Sequence, residues 1–263
     1  MASYNILPPN KKKEKLKIIA LQTDIAWADP TENHRRAEQM LSDISEQADL
    51  IVLPEMFSTG FATQPDGIAE QDAQPSLDWM RSLARRHNCA VAGSVATQTD
   101  GKYRNRFFFV TPDGEEQHYD KHHLFTYGGE HLRYTAGKER RVVCWRGVRI
   151  LLQVCYDLRF PCFSRNQGDY DMAIYVASWP TTRVKAWSAL LRARAIENQC
   201  YVLGLNRVGS DPQCQYPGAS AFIDPYGETL AEADDRETAL SATIDMEQLN
   251  AFREKFPVLN DRD

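Results

Sequence analysis

Asp49–Glu55 (DLIVLPE) and Asp171–Pro180 (DMAIYVASWP) each run from an aspartate through apolar residues to a proline stop. A short continuous apolar run between turn signals is the pattern of a strand buried on both faces. The flanking segments of the two runs also match. Upstream of the first, Leu16–Gln22 (LKIIALQ) reads as a strand, and Asn33–Gln47 carries Ala37, Met40, Leu41 and Ile44 at helical spacing. Downstream come a helical stretch at Leu77–His87 and a strand at Ala90–Ala96. Arg104–Thr111 and Gln117–Lys121 then flank Pro112-Asp113-Gly114, a hairpin signal. Around the second run lie a strand at Val148–Val154, a helix at Trp187–Gln199 and a strand at Tyr201–Asn206. Ala219–Asp224 then passes through Pro225–Glu228 into Thr229–Ala233. FFFVTPDGEE (107–116) and SAFIDPYGET (220–229) echo each other in the same way. Two weakly similar halves, each supplying strands to a two-sheet core, predict an α/β fold. Its form is a helix–sheet–sheet–helix sandwich with largely parallel pairing and helices outside. No Gly/Ser-rich linker separates the halves, so residues 16–263 read as one domain behind an N-terminal arm, 1–15.

The chain has 263 residues, 43% hydrophobic and 25% charged, an ordinary globular balance. With 10% aromatics and a net charge of −5, disorder is excluded as the main state and nucleic-acid binding is disfavoured. No apolar run reaches the ~18–20 residues of a membrane span. The opening MASYNILPPN does not read as a signal peptide. Lysines 11, 12, 13, 15 and 17 form one basic run, read as a solvated arm. The six cysteines show neither C-x-x-C spacing nor a zinc pattern, so no metal is expected and most should be buried apolar residues. A reducing cytoplasm is the expected location.

In open α/β sheets ligands bind beyond the carboxyl ends of the strands. The residues there are Glu55 after IVLP, Lys121 after QHYD, Cys155 after ILLQV and Trp179 after IYVAS. Cys155 stands where an apolar run breaks into a charged turn, YDLRFP, which exposes a thiol as a nucleophile requires. Backbone N–H groups just after such a turn can face a developing oxyanion. The base is either a histidine, with His122 and His123 beside Lys121 the nearest candidates, or Glu55. Glu55 sits at the edge of a buried run, where a carboxylate's pKa should rise. Model values of ~4.3 for Glu and ~8.5 for Cys leave ~5.7 kcal/mol against proton transfer. Burying the glutamate and setting Lys121 beside the thiol would both narrow that gap.

LPEMFSTGF around Glu55, YDKHHLF around Lys121, GGEH around Glu130 and VCYDLRFP around Cys155 together resemble the nitrilase superfamily of carbon–nitrogen hydrolases. The downstream RARAIENQCYVLGLNRVG is similar to it as well, and the likeness runs from about Leu16 to about Leu249. It implies a four-layer α-β-β-α sandwich and a Glu–Lys–Cys triad. In that triad Glu55 is the general base, Lys121 the oxyanion stabiliser and Cys155 the acylated nucleophile. The N–H of Tyr156 would be a second oxyanion donor, and Glu130 would position Lys121 or the substrate. LPEMFSTGF with VCYDLRFP most resembles the omega-amidase branch, which hydrolyses the terminal amide of 2-oxo acids such as 2-oxoglutaramate and 2-oxosuccinamate. Arg159 fits a substrate carboxylate bidentately, with a structural ion pair to Asp157 as the competing reading. Phe57, Phe61, Phe125, Tyr127 and Trp179 are candidates for the pocket wall, with simple core packing as the alternative. Arg192, Arg194, Glu197 and Asn206-Arg207 read as scaffold. The resemblance further implies no cofactor, a small-molecule amide as the only substrate partner, and a homodimer of stacked sandwiches. A nitrilase, an N-carbamoyl amidohydrolase and a non-catalytic binding module are the alternatives.

Overall fold

The computed structural model describes residues 13–262. In chain order the first half supplies β1 (Lys15–Gln22), β2 (Leu50–Val52), β3 (Glu70–Gln71), β4 (Ala90–Thr99), β5 (Lys102–Val110) and β6 (Glu116–Asp120). The second half supplies β7 (Val142–Trp145), β8 (Val148–Val154), β9 (Met172–Ala177), β10 (Tyr201–Asn206), β11 (Val208–Ser210), β12 (Gln215–Pro217), β13 (Ala221–Ile223) and β14 (Thr229–Glu232). A last strand, β15 (Thr238–Asp245), returns to the first sheet. One sheet has the order β15-β1-β2-β4-β5-β6, with β3 paired to β4. The other, from its opposite edge, reads β7-β8-β9-β10-β13-β14. Strand for strand the two orders correspond, so the pseudo-repeat seen in the sequence is a repeat of topology.

Pairing is parallel at the centres, β1-β2-β4 and β8-β9-β10, and between the short β3 and β4, and antiparallel towards both edges. This corrects the expectation of largely parallel sheets. The hairpins β4-β5-β6 and β13-β14, and the edge strands β7 and β15, need no helical crossover and so run antiparallel.

Period-two alternation builds the layers. Along β1, Leu16, Ile18 and Ala20 join the cluster between the sheets, while Ile19 and Leu21 face the helices. Along β9, Met172, Ile174 and Val176 point between the sheets, and Ala173, Tyr175 and Ala177 point outward. Helices α1 (Pro30–Ser42) and α2 (Ser76–His87) cover the first sheet. The short α3 (Pro161–Ser164) follows β8, and α4 (Val184–Asn198) covers the second sheet through Trp187, Leu191 and Ala195. The result is a four-layer α-β-β-α sandwich. Helix α1 starts earlier than its apolar spacing suggests, because Asp29 caps it through Glu32 N at 3.0 Å and Pro30 opens the first turn. Helix α4 lies so close to β10 that a Cβ on Gly204 would stand 2.3 Å from a Leu191 methyl. Neither β15 nor the helix that follows it, α5 (Met246–Lys255), was read from the sequence.

Residues 1–12, including most of the N-terminal arm, lie outside the described residues. Of the basic run, Lys13 pairs with Asp49 at 2.6 Å, Lys15 with Asp245 at 3.3 Å and Lys17 with Glu46 at 2.6 Å. These three are therefore part of the fold's ion pairing, not a free basic patch. Among the described residues no helix is long and apolar enough to cross a membrane.

Candidate active site

The parallel strands deliver their carboxyl ends to one side of the sandwich. After β2 the chain turns sharply: Met56 adopts φ +46°, its N–H bonds Ser94 Oγ at 2.8 Å, and Glu55 is driven into the space between the sheets. Glu55 is fully buried. Its Oε1 accepts from Lys121 Nζ at 3.0 Å and Asn105 Nδ2 at 2.8 Å, and its Oε2 accepts from Ser178 N at 2.7 Å. The last bond joins the ends of the twin strands β2 and β9.

Lys121 leaves β6 tied by its N–H to Asn105 O at 2.9 Å, and its side chain is buried. Besides Glu55 it meets Glu130, at 2.9 Å to Oε2 and 3.2 Å to Oε1. Glu130, itself fully buried, also accepts from Phe125 N at 2.6 Å. It touches Lys121 and not the pocket. Of the two roles the resemblance allowed, the geometry fits positioning Lys121. Burial alone would lower the lysine's pKa, but the charges of Glu130 and Glu55 more than reverse this and hold it well above its ordinary value. Burial pushes the Glu130 carboxyl up, against the pull of Lys121.

Cys155 opens a short 3-10 turn, Cys155–Arg159, directly after β8. Its φ of +47° is a left-handed conformation that a non-glycine residue holds only when its surroundings impose it. Asp157 imposes it. This carboxylate is fully buried and takes Val154 N at 3.0 Å and Tyr119 Oη at 2.8 Å on Oδ2. On Oδ1 it takes His123 N at 2.9 Å and contacts His123 Nδ1 at 2.8 Å. Arg194 Nη2 bonds Leu158 O at 2.7 Å from α4 and braces the same turn, as its scaffold reading anticipated. Tyr156 is the second residue of the turn, where N–H groups have no partner within the helix.

Burial pushes the Cys155 thiol well above its ordinary pKa, and the negative charge of Glu55 adds to this; Lys121 opposes both and loses. Lys121 thus acts in the direction the sequence leads one to expect of a cation beside the thiol, narrowing the gap, while burial and Glu55 outweigh it. The thiol has to give up its proton during attack. His122 and His123 take no part: His122 Nδ1 sits 2.7 Å from Gly137 O with its ring stacked on Phe163, and His123 is held by Asp157 and stacked on Phe160.

A small pocket of about 50 Å³ opens over the thiol, walled by Phe61, Phe125, Tyr156, Trp179 and Tyr216. Two guanidinium groups line it. Arg159 lies over the Trp179 ring at 5.0 Å and Arg183 over the Phe125 ring at 5.1 Å. Arg159 makes no ion pair with Asp157, whose oxygens are taken by Tyr119, His123 and Val154. Two of the expected wall residues are elsewhere. Tyr127 is 87% exposed, because the turn Thr126–Gly128 sends Phe125 inward and the residue two further on outward. Phe57 packs into the helix-facing core against Trp79 and His34. Sequence reasoning missed Asn105, Asp157 as the brace of the turn, Ser178 and Arg183. The arginine alone left a trace, as a cation four residues after the strand-end Trp179.

The sequence matches the family model of the carbon–nitrogen hydrolases over residues 17–254. It is 50% identical over 253 residues to the omega-amidase YafV of Yersinia enterocolitica, covering 94% of this chain and 97% of that one. It is 36% identical over 252 residues to the 2-oxoglutaramate amidase of Bacillus subtilis, with the same coverage, 94% and 97%. Among solved structures, XC1258 from Xanthomonas campestris superposes with a TM-score of 0.92 at 44% identity, covering 95% of this chain and 97% of that one. It is a CN-hydrolase superfamily protein whose crystal structure has an arsenic adduct in the active site. The chain thus belongs to the carbon–nitrogen hydrolase family.

Proposed function

We propose that this enzyme cleaves the terminal amide of short 2-oxo dicarboxylic acid monoamides, such as 2-oxoglutaramate and 2-oxosuccinamate, to the acid and ammonia. The observation that carries the reading is the buried convergence of Glu55, Lys121 and Glu130 on a thiol held at positive φ. Glu55 takes the Sγ proton as sulfur attacks the amide carbon. Lys121 Nζ and the Tyr156 N–H stabilise the oxyanion. Collapse breaks the C–N bond, the proton on Glu55 passes to nitrogen, and ammonia leaves a thioester on Cys155. Glu55 then takes a proton from water as it attacks the thioester, the acid departs, and the thiol is restored.

Specificity for a charged acid rests on Arg159 and Arg183. Both cations line the pocket, and neither has a carboxylate partner among the ion pairs of the described residues. A carboxylate entering between them gains charge-assisted bonds of ~1.5–3 kcal/mol each. The small pocket favours a short chain, and the omega-amidase and 2-oxoglutaramate amidase relatives support the same substrate class. Ammonia release from a panel of amides, nitriles and N-carbamoyl compounds tests it. Fastest turnover of a nitrile or a carbamoyl amino acid would reject the assignment. We also propose a homodimer in the cytoplasm, where six free thiols stay reduced.

A further inference from the structure

Ser178 follows β9 directly and lies 94% buried, at 6% exposure, in the lining of the Cys155 pocket. Its backbone and its side chain are in opposite situations. The N–H is spent on Glu55 Oε2 at 2.7 Å, whereas the hydroxyl is shielded from solvent and has no hydrogen-bond partner among the described residues. A buried polar atom without a partner calls for an explanation, and at an active site the first one is a ligand group.

The saturation of Glu55 says which group. Its Oε1 already accepts from Lys121 Nζ and Asn105 Nδ2, while Oε2 accepts from the Ser178 N–H alone. Oε2 is therefore the oxygen with a free lone pair for the thiol proton, and it later returns that proton to the departing nitrogen. The Ser178 hydroxyl stands on the residue that touches this oxygen. We propose that Ser178 Oγ accepts a hydrogen bond from the NH₂ of the substrate amide and holds its nitrogen against Glu55 Oε2. In the collapse, the C–N bond breaks, the Oε2 proton moves to nitrogen, and ammonia leaves from the serine; the serine's own proton stays in place. This assignment rests on the thioester route.

The test compares the amide with the p-nitrophenyl ester of the same acyl group, in wild type and Ser178→Ala. Both substrates pass through one acyl-enzyme, but nitrophenolate leaves without protonation and has no N–H to be held. Rapid-quench ammonia release and the nitrophenolate burst give the two acylation rates. Ser178→Ala is expected to slow acylation by the amide about five- to tenfold, the size of one lost hydrogen bond. Acylation by the ester and the shared deacylation should stay within about twofold, and the melting temperature should not fall, since the hydroxyl bonds nothing in the free enzyme. Equal slowing of ester and amide, or an unchanged amide rate, would overturn the assignment. Failure of wild type to carry the acyl group on Cys155 after acid quench with the ester would instead remove the thioester route beneath it.

Discussion

Replacing Lys121 with methionine keeps the length and the apolar stem of the side chain and deletes one buried cation. Glu55 and Glu130, both fully buried and 3.0 and 2.9 Å from that cation, are left facing one another's charge. Their remaining donors are the Asn105 amide and the N–H groups of Ser178 and Phe125. Breaking a buried pair by removing one partner costs about 3–5 kcal/mol. The variant can lower that cost only by protonating a carboxylate, so a folded-state carboxyl pKa rises further above its unfolded value. A group shifted in this direction withdraws stability as pH rises above its unfolded pKa of ~4.3, at about 1.4 kcal/mol per unit for each proton held. Wild-type Lys121 is shifted upward. Its contribution is complete below its unfolded pKa of ~10.4 and is lost only above the folded value, so it is flat from pH 5 to pH 8. The stability difference between wild type and Lys121→Met is therefore small near pH 5 and grows towards pH 8 by at most about 4 kcal/mol, one proton over three units, because the already raised Glu130 carboxyl gives wild type part of the same slope. Urea denaturation of both proteins at pH 5, 6.5 and 8 reads it directly. A difference that is the same at all three pH values, or no difference at all, would refute the electrostatic account of the site. Turnover should fall about 10²–10³-fold at every pH, as for the loss of an oxyanion donor.

Arg159→Lys should cut kcat/KM for 2-oxoglutaramate by roughly 10–150-fold, mainly through KM, and spare an uncharged short amide, because lysine lacks the planar fork. Arg183→Lys should show the same selective pattern; equal losses on charged and uncharged amides would make both arginines structural. Asp157→Asn leaves one of the Val154 and His123 N–H groups facing an NH₂ in place of an oxygen. It should cost about 1–3 kcal/mol in denaturation and about 10–100-fold in kcat as Cys155 loses its placement. Unaltered kcat in Asp157→Asn would show that the elbow holds itself.

The strands that carry Glu55 and Cys155 were legible as apolar runs that break into polar sequence, and the strand ending at Lys121 as the second arm of a hairpin signal. The twin hairpins at 107–116 and 220–229 were legible for the same reason and disclosed the repeat. What stayed hidden depends on contacts between distant segments. Asn105 reaches Glu55 across 50 residues and Ser178 reaches it across 123, and nothing around either residue announces this. Thr238–Asp245 was not recognised because its partner, β1, lies at the other end of the chain. Tyr127 was misplaced because a 3-10 turn sends residues two apart to different sides.

The central claim is a thioester on Cys155, and peptide-mapping mass spectrometry of enzyme quenched in acid during turnover of 2-oxoglutaramate addresses it most directly. The account predicts the 2-oxo acyl group on the Val148–Arg159 segment, removable by hydroxylamine and absent from an inactive Cys155→Ala protein. An acyl group on another cysteine, such as the pocket-lining Cys214, or ammonia release that survives Cys155→Ala, would contradict it.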